Sequence, residues 1–204
     1  MTATLMRWFK MNKRVLVLAS RSPRRKVLLK KLCIPFIVRL PRSREHFPGK
    51  NILKELRTNT INKALSVRAP QKALIIAGDT VIVYNNRVLG KPKSRNEARD
   101  FLRSLSGKTH MVLTDIVIYD TVKKKAISAV TKTRVTFRTL TDQEITAYLD
   151  TGEYKDKAGA YGIQGHGSRL VKKVNGDIEN VIGFPLSTVK TLLTKSRRNS
   201  DGSF

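Results

Sequence analysis

Short apolar runs alternate with stretches of helical character along this chain, and that alternation limits the folds open to it. Apart from Arg14, residues 14–19 and 73–77 are apolar and contain several β-branched side chains, which is typical of buried strands. Residues 52–67 carry apolar side chains at helical spacing, and Ser94 with Glu97 three residues later is a helix-start signature. Strands that alternate with helices in this way predict an α/β fold.

The second half of the chain departs from this regular alternation. Residues 109–119 and 126–137 alternate apolar and polar side chains, as two long strands of a hairpin would. A capped helix that begins near Thr141 and a helix after Pro185 follow them. The combination predicts a mixed sheet flanked by helices, arranged as two lobes with a central cleft.

Length and composition favour one folded domain over residues 14–194 of the 204. We predict an N-terminal extension at 1–13, in which Met11 could be the true start, and a basic, disordered tail at 195–204. The lone cysteine, Cys33, excludes a disulfide within one chain, and no apolar run approaches the roughly 20 residues that a bilayer requires. We therefore predict a cytoplasmic protein with no membrane partner.

The charge balance is strongly basic, with 41 Lys and Arg against 15 Asp and Glu and a formal net charge of +26. Such a field attracts polyanions, including nucleotides and nucleic acids. The basic residues are spread along the whole chain, and the aromatic residues, 6% of the total, do not interleave with them. We therefore favour a generally basic surface over a dedicated nucleic-acid site, which the charge leaves open.

Residues 20–25 give the strongest local signal, because a predicted strand ends there and a helix begins. Ser22 suits the N-cap and Pro23 the first helical position. A helix N-terminus offers unpaired N–H groups, and the guanidinium groups of Arg24 and Arg25 add donors that suit phosphate. An ordinary helix start is the alternative, although two basic residues at that end oppose the helix dipole. We favour a phosphate site.

Gly78-Asp79-Thr80 places a carboxylate inside an apolar strand region. Burying a carboxylate is costly unless it binds a metal, meets a cation or acts as a base, and the alternative is a tight turn. Lys91 could reach a triphosphate, although a solvated lysine is the default in so basic a chain. Glu45, on a proline-containing loop, could supply a carboxylate to a metal ion.

Residues 156–165 are rich in glycine around Tyr161 and Gln164. Glycine lets the backbone approach a ligand closely, and the Gln164 amide could read a base edge with one donor and one acceptor. A flexible surface loop is the alternative. The apolar residues Ala160, Tyr161 and Ile163 favour a packed loop instead.

Taken together, these segments resemble the Maf family of nucleoside triphosphate pyrophosphatases. The similarity runs over 15–193 and is carried by several motifs in the family's order: residues 18–25, 77–81, 89–92, 105–110, 156–165 and 180–186. The resemblance implies a fold with an elongated mixed sheet and a cleft between two lobes, as in Maf and ITPase-like enzymes, and often a homodimer. It implies attack of water on the α-phosphorus, dependent on Mg²⁺ or Mn²⁺, which yields a nucleoside monophosphate and pyrophosphate.

The resemblance also assigns roles by position. Asp79 would be the general base or a metal-linked carboxylate, with Glu45 as its acidic partner at the metal. The residues that would hold phosphates are Ser20, Arg24, Arg25, Lys63 and Lys91, and those that would set base choice are Arg24, Thr80 and Gln164. The family usually has two adjacent acidic residues where this chain has Arg44 and Glu45.

The motifs around Gly78 and Gln164 look like the branch that acts on dTTP and UTP, which implies a house-cleaning role in the nucleotide pool. Two alternatives stay open at this point. One is the same reaction on a modified purine nucleotide such as 7-methyl-GTP. The other is a nucleic-acid-binding or cell-division regulatory protein without catalysis.

Overall fold

The computed structural model describes residues 2–47, 49 and 51–201. Its helices are α1 (Thr2–Met11), α2 (Pro23–Lys30), α3 (Ile52–Leu65), α4 (Arg95–Leu105), α5 (Asp142–Asp150), α6 (Ile178–Ile182) and α7 (Leu186–Asp201). Its strands are β1 (Val15–Ala19), β2 (Phe36–Arg39), β3 (Ala73–Tyr84), β4 (Arg87–Leu89), β5 (Thr109–Asp120), β6 (Lys125–Phe137) and β7 (Val171–Asn175). Two 3₁₀ turns, Ala158–Ala160 and Gly165–Leu170, lie between α5 and β7.

The strands form one seven-stranded sheet in the order β2-β1-β3-β5-β6-β7, with β4 paired to β3. The β1 strand runs parallel to both β2 and β3, as expected when helices connect neighbouring strands. The β3–β4 and β6–β7 pairs are antiparallel. The predicted α/β fold with a mixed sheet flanked by helices is therefore confirmed.

The chain divides into two compact units. The first unit comprises residues up to 79, 115–130 and those from 183 onward, and its core includes Val17, Ile75 and Val117. The second unit comprises residues 80–114 and 131–182, with a core built from α4, α5, β5, β6 and the loop around Tyr161. The central cleft stays a prediction.

Side-chain caps set the starts of the helices as the sequence predicts. The Ser22 hydroxyl accepts a hydrogen bond from the Arg25 N–H at the start of α2, where Pro23 takes the first position. At α5, Thr141 and Glu144 form the reciprocal capping box. At α4 the Ser94 hydroxyl accepts from the Glu97 N–H, but the Glu97 carboxylate accepts from the N–H of Lys93. The predicted capping box is therefore incomplete there.

The two ends of the chain carry more helix than the sequence predicts. We predicted only an extension over 1–13, whereas α1 buries Leu5, Trp8 and Phe9, whose spacing places them on one helical face. The predicted disordered tail is corrected over 195–201, which continue α7, and 202–204 lie outside the described residues. Among the described residues, no helix has the length and apolar character needed to cross a membrane.

Candidate functional site

The α2 helix begins directly after β1, so Ser20 lies between the strand and the helix N-terminus. The Ser20 hydroxyl is buried and accepts a hydrogen bond from the N–H of Ser22 at 3.1 Å. Arg24 lies in the first turn of α2 and is partly exposed. The predicted phosphate site thus has its backbone in the expected conformation, with Ser20 held by the turn.

The Arg25 guanidinium is buried against backbone carbonyl groups. Its Nη1 donates to the Gly78 carbonyl at 2.6 Å, and its Nε donates to the Gly183 carbonyl at 2.9 Å. A Cβ on Gly78 would lie 3.1 Å from Ile116 Cδ1 and 3.5 Å from Arg25 Nε, so glycine allows this close packing. Burial lowers the Arg25 pKa from its ordinary value, and the negative charges of Asp79 and Glu45 partly offset that effect. Arg25 therefore fixes the backbone beside Asp79.

Lys63 joins the two carboxylates that the sequence analysis selected. Its Nζ donates to Glu45 Oε1 at 2.6 Å and to Asp79 Oδ1 at 2.7 Å. The Lys63 and Asp79 side chains are 9% and 4% exposed, whereas that of Glu45 is 36% exposed. One carboxylate therefore lies inside the unit and the other faces solvent, with a single ammonium group between them.

The electrostatic environment of Asp79 combines opposing effects. Burial raises the pKa of this carboxyl above its ordinary value, and the neighbouring charge of Glu45 raises it further. The Lys63 ammonium lowers it, both through its charge and through its hydrogen bond, and Arg25 adds a smaller lowering. A carboxyl with a raised pKa that is still held beside cations has the properties of a general base.

The loop that carries Glu45 is anchored by a residue that the sequence did not indicate. Asn59, buried on α3, accepts from the His46 N–H at 3.1 Å and donates its amide to the His46 carbonyl at 3.0 Å. Asn59 precedes Lys63 by four residues, so both side chains lie on one face of α3. The same helix face therefore holds the Lys63 ammonium and the loop beside Glu45.

A second buried carboxyl in the first unit, Asp115 on β5, was also missed. It is 0% exposed, and among the described residues neither of its oxygens has a donor in hydrogen-bonding geometry. Burial raises its pKa to about 6, while the nearby Thr60 hydroxyl and Arg57 lower it and the Asp79 charge raises it. The signal was present, because Asp115 interrupts an apolar run in the same way as Asp79.

Thr80 follows Asp79 on β3 and is the first residue of the second unit. Its hydroxyl lies 3.0 Å from the hydroxyl of Thr114, which in turn donates to the Asn180 carbonyl at 3.2 Å. Asn180 is fully buried and donates to Val112 and to Thr133. The Thr80 side chain is thus oriented by a hydrogen-bonded chain of buried polar groups.

The glycine-rich loop is packed, as predicted. Tyr161 is 5% exposed, and its hydroxyl lies 2.7 Å from His110 Nε2. The Gly159 N–H donates to the Gly90 carbonyl at 3.0 Å, which joins the loop to the residue before Lys91. Gln164 and Lys91 themselves are exposed. A rigid loop therefore presents an accessible amide in the same unit as an accessible ammonium group.

The structure thus brings together four of the predicted site residues, Arg25, Glu45, Lys63 and Asp79, in the first unit. Ser20 and Arg24 lie beside Arg25 at the start of α2. The three remaining predicted residues, Thr80, Lys91 and Gln164, belong to the second unit.

The donor set of Glu45 and Asp79 suits a hard divalent cation. Mg²⁺ usually takes one or two carboxylates, with substrate phosphates and water completing its shell. Among the described residues there is no group of three or more His, Cys, Asp or Glu that could hold a metal ion unaided. The residues therefore fit a cation that is held jointly with a phosphorylated ligand.

Comparison with known proteins identifies the family of the chain. Residues 15–196 match the family model described as Maf-like protein. The chain is 42% identical over 182 residues to a dTTP/UTP pyrophosphatase of a Thermoanaerobacter species, which covers 88% of this chain and 95% of the relative. It is 43% identical to the dTTP/UTP pyrophosphatase of Latilactobacillus sakei over 87% of this chain and 98% of that one. The corresponding protein of Dictyoglomus thermophilum is 38% identical, over 90% of this chain and 96% of its own length.

Proposed function

The chain belongs to the Maf-like protein family, and on that premise we propose that it is a nucleoside triphosphate pyrophosphatase that hydrolyses dTTP and UTP. The products are the nucleoside monophosphate and pyrophosphate. The observation that carries the proposal is the Lys63 ammonium held between Asp79 and Glu45, in a chain whose relatives are named for this reaction.

Asp79 is the group that we assign to prepare the attacking water. Its raised pKa lets the carboxylate accept a proton, while the contact with Lys63 favours its ionised form in the resting protein. Water that loses its proton to Asp79 attacks the α-phosphorus, the bond to the bridging oxygen breaks, and pyrophosphate leaves. Lys63 stays hydrogen-bonded to the carboxylate and fixes the position of its oxygen.

The phosphates of the substrate carry a high negative charge, which the proposed site offsets with cations and hydroxyl donors. Arg24 and Lys91 are accessible for this purpose, and Ser20 lies at the N-terminus of α2. The half-buried Arg25 and the buried Lys63 add further positive charge. Preorganised charge of this kind stabilises the transition state because it requires little rearrangement during the reaction.

We assign base choice to Gln164, Thr80 and Arg24, the residues that the resemblance implies for this role. The Gln164 amide is exposed on a rigid loop and can offer one donor and one acceptor to a pyrimidine. The Thr80 hydroxyl is held by Thr114. Arg24 is the third residue that we assign to base choice, because it occupies the matching position in the family's motif.

A divalent cation, Mg²⁺ or Mn²⁺, is part of the proposal, with Glu45 and Asp79 as the residues that would hold it. When bound, such an ion offsets phosphate charge and polarises phosphoryl oxygens. The half-exposed Glu45 carboxylate is accessible to an ion that arrives with the nucleotide.

We also propose the cytoplasm as the site of action, a homodimer as the assembly, and removal of surplus nucleotides as the role.

A panel of nucleoside triphosphates with separated products tests the proposal. We expect pyrophosphate and monophosphate from dTTP and UTP with Mg²⁺ or Mn²⁺, and slower hydrolysis of 7-methyl-GTP. Release of orthophosphate alone would contradict the proposed reaction. Preference for the purine would retain the reaction and overturn the substrate assignment, and no hydrolysis at all would favour the regulatory alternative.

Replacing Asp79 with Asn tests the assignment of the base. We expect kcat to fall by roughly 100- to 10,000-fold, because the amide cannot accept the proton of the attacking water. The matched control is Asp142→Asn, which removes an exposed carboxylate that pairs with Arg103 and leaves kcat unchanged. Circular dichroism of both variants checks the fold, and a folded Asp79→Asn enzyme with full activity would remove Asp79 from the mechanism.

A further inference from the structure

The second unit carries a surface whose chemistry nucleotide hydrolysis does not use. Near its end, β6 alternates buried and exposed side chains: Thr133 and Val135 are 1% and 0% exposed, whereas Lys132 and Arg134 face solvent. The buried side packs into the core of the unit. The opposite side of the strand therefore presents two cations about 7 Å apart, the distance between alternate residues of a strand.

The neighbouring strand, β7, extends this charged side. In the antiparallel register Thr136 pairs with Lys173 and Arg134 pairs with Asn175. A register shift at residues 136–137 adds one residue, Lys172, to the β7 side, and both lysines are exposed. The β7 strand lies at the edge of the sheet, and no further strand of the described residues pairs with its outer side.

We call the side chains of Lys132, Arg134, Lys172 and Lys173 the basic strand face. Among the described residues, none of these four cations lies within ion-pairing distance of a carboxylate. Asp177, which follows β7, instead directs its carboxylate to the N–H groups of Glu179 and Asn180. The basic strand face thus keeps its charge available to an anion.

The polar residues around these cations suit phosphate oxygens. Thr109 and Thr136 share a hydrogen bond at 2.8 Å on the exposed side of β5 and β6, and Asn175 lies opposite Arg134. Hydroxyl and amide groups beside Lys and Arg are common donors to the phosphates of nucleic acids. From this geometry we propose that the basic strand face binds the phosphate backbone of duplex nucleic acid, independently of nucleotide hydrolysis.

A duplex fits the surface better than a single strand or a membrane. Single-stranded nucleic acid is usually held by aromatic side chains that stack on bases, and the exposed positions of β6 and β7 carry none. Membrane surfaces are usually met by exposed apolar side chains as well as cations. The exposed large apolar residues of the described chain lie outside these two strands. Contacts would be made to phosphates without base readout, so binding would be independent of sequence.

Fluorescence anisotropy with a 20-base-pair DNA duplex tests the proposal on the full chain. The variant replaces Lys132, Arg134, Lys172 and Lys173 with Ala, and its salt dependence is measured from 50 to 200 mM NaCl. Each lost phosphate contact lowers the slope of log K against log salt by about 0.9, so we expect a slope smaller by about 3 to 4. The dTTP hydrolysis rate and the melting temperature check that the variant is folded.

The control variant removes the same number of charges from the first unit: Lys30, Lys54, Arg68 and Lys72, all exposed, are replaced with Ala. We expect this control variant to keep most of the salt dependence of DNA binding, measured as the slope of log K against log salt, that the unchanged protein shows. Equal losses in both variants would show that the general +26 charge binds DNA and would overturn the proposal. The absence of duplex binding would also overturn the proposal. Binding to phosphatidylserine vesicles that is tighter than binding to the duplex, and that the four-site variant abolishes, would overturn it as well.

Discussion

The ammonium group of Lys63 lies within hydrogen-bonding distance of two carboxylates that differ in exposure. Burying a charge is costly, and a partner in contact recovers part of that cost. Asp79, at 4% side-chain exposure, depends on this partner far more than Glu45, which water also solvates. At the scale of single residues, Lys63 therefore makes an ionised Asp79 tolerable inside the first unit.

Lys63→Met should destabilise the protein by about 3 kcal/mol, since it leaves a buried carboxyl without its cation. Urea unfolding at pH 7 measures the loss. In the Asp79→Asn background the same replacement should cost much less, because only the half-exposed Glu45 then lacks its partner. Equal costs in the two backgrounds would show that Lys63 stabilises the fold through its aliphatic stem and not through Asp79.

Asp115 makes stability depend on pH in the opposite sense from a salt-bridged carboxylate. Its pKa is about 6 in the folded protein because of burial, above the ordinary value of 3.8, so the folded state binds the proton more tightly. The stability that this group contributes is complete below about pH 4 and is lost as the pH rises through 6. Asp115→Asn removes this titration.

We therefore expect the unfolding free energy of Asp115→Asn, relative to the unchanged protein, to rise by up to about 3 kcal/mol between pH 4 and pH 7. Urea unfolding across that range measures it. Asp142→Asn is the control, because Arg103 lowers the pKa of the exposed Asp142, so this group titrates below the measured range and its difference should stay nearly constant. A difference for Asp115→Asn that does not change with pH would contradict the raised pKa.

Some of these residues are predictable from the sequence by a general physical argument, and others only by resemblance to a known family. Asp79 was found because an acid inside an apolar strand needs a partner, and the partner proved to be Lys63. Lys63 itself is one lysine among many, and its burial depends on how α3 packs. Asp115 carries the same local signal as Asp79, an acidic residue within an apolar strand, so its burial was equally predictable from the sequence.

At the scale of elements, the length of β3 is set by tertiary structure and not by the local sequence pattern. The sequence pattern predicts a strand over 73–77, whereas β3 continues without a break from Ala73 to Tyr84. Pairing to β1 over 73–77 and to β4 over 82–84 holds the strand on both sides of Gly78 and Asp79, whose own strand propensity is low. The long strand keeps the Asp79 carboxyl in a fixed position opposite Lys63.

The loop after α5 is constrained by close backbone contacts, which Gly167 makes possible. A Cβ at this buried residue would lie 2.2 Å from the Gly162 carbonyl oxygen, so the backbone would have to move. Gly167→Ala should lower stability by about 1 to 3 kcal/mol and raise the KM for dTTP, because Gln164 lies on the displaced segment. Gly90→Ala is the control for stability, since nothing lies within 4 Å of its Cβ. Thermal unfolding and steady-state kinetics measure both effects, and equal stability losses would contradict the steric argument.

At the scale of the whole molecule, the sequence predicts the α/β class because alternating strands and helices leave few other arrangements. The division into two units was not predictable in its details, since both β3 and β5 contribute to each unit. The basic strand face was not predictable for a similar reason, because it depends on how two strands pair. Alternation marks the exposed side of β6, but only the register with β7 shows that Lys173 lies beside Thr136.

The net charge of +26 should produce two opposite responses to salt. Like charges repel within the folded protein, and this repulsion weakens as the Debye length falls from about 30 Å at 10 mM salt to about 8 Å at 150 mM. The melting temperature should therefore rise over that range. The value of kcat/KM for dTTP should fall over the same range, because screening also weakens the long-range attraction of an anionic substrate. Sodium chloride and choline chloride should act alike if ionic strength is the cause, and a melting temperature that falls with both salts would contradict self-repulsion as the dominant effect.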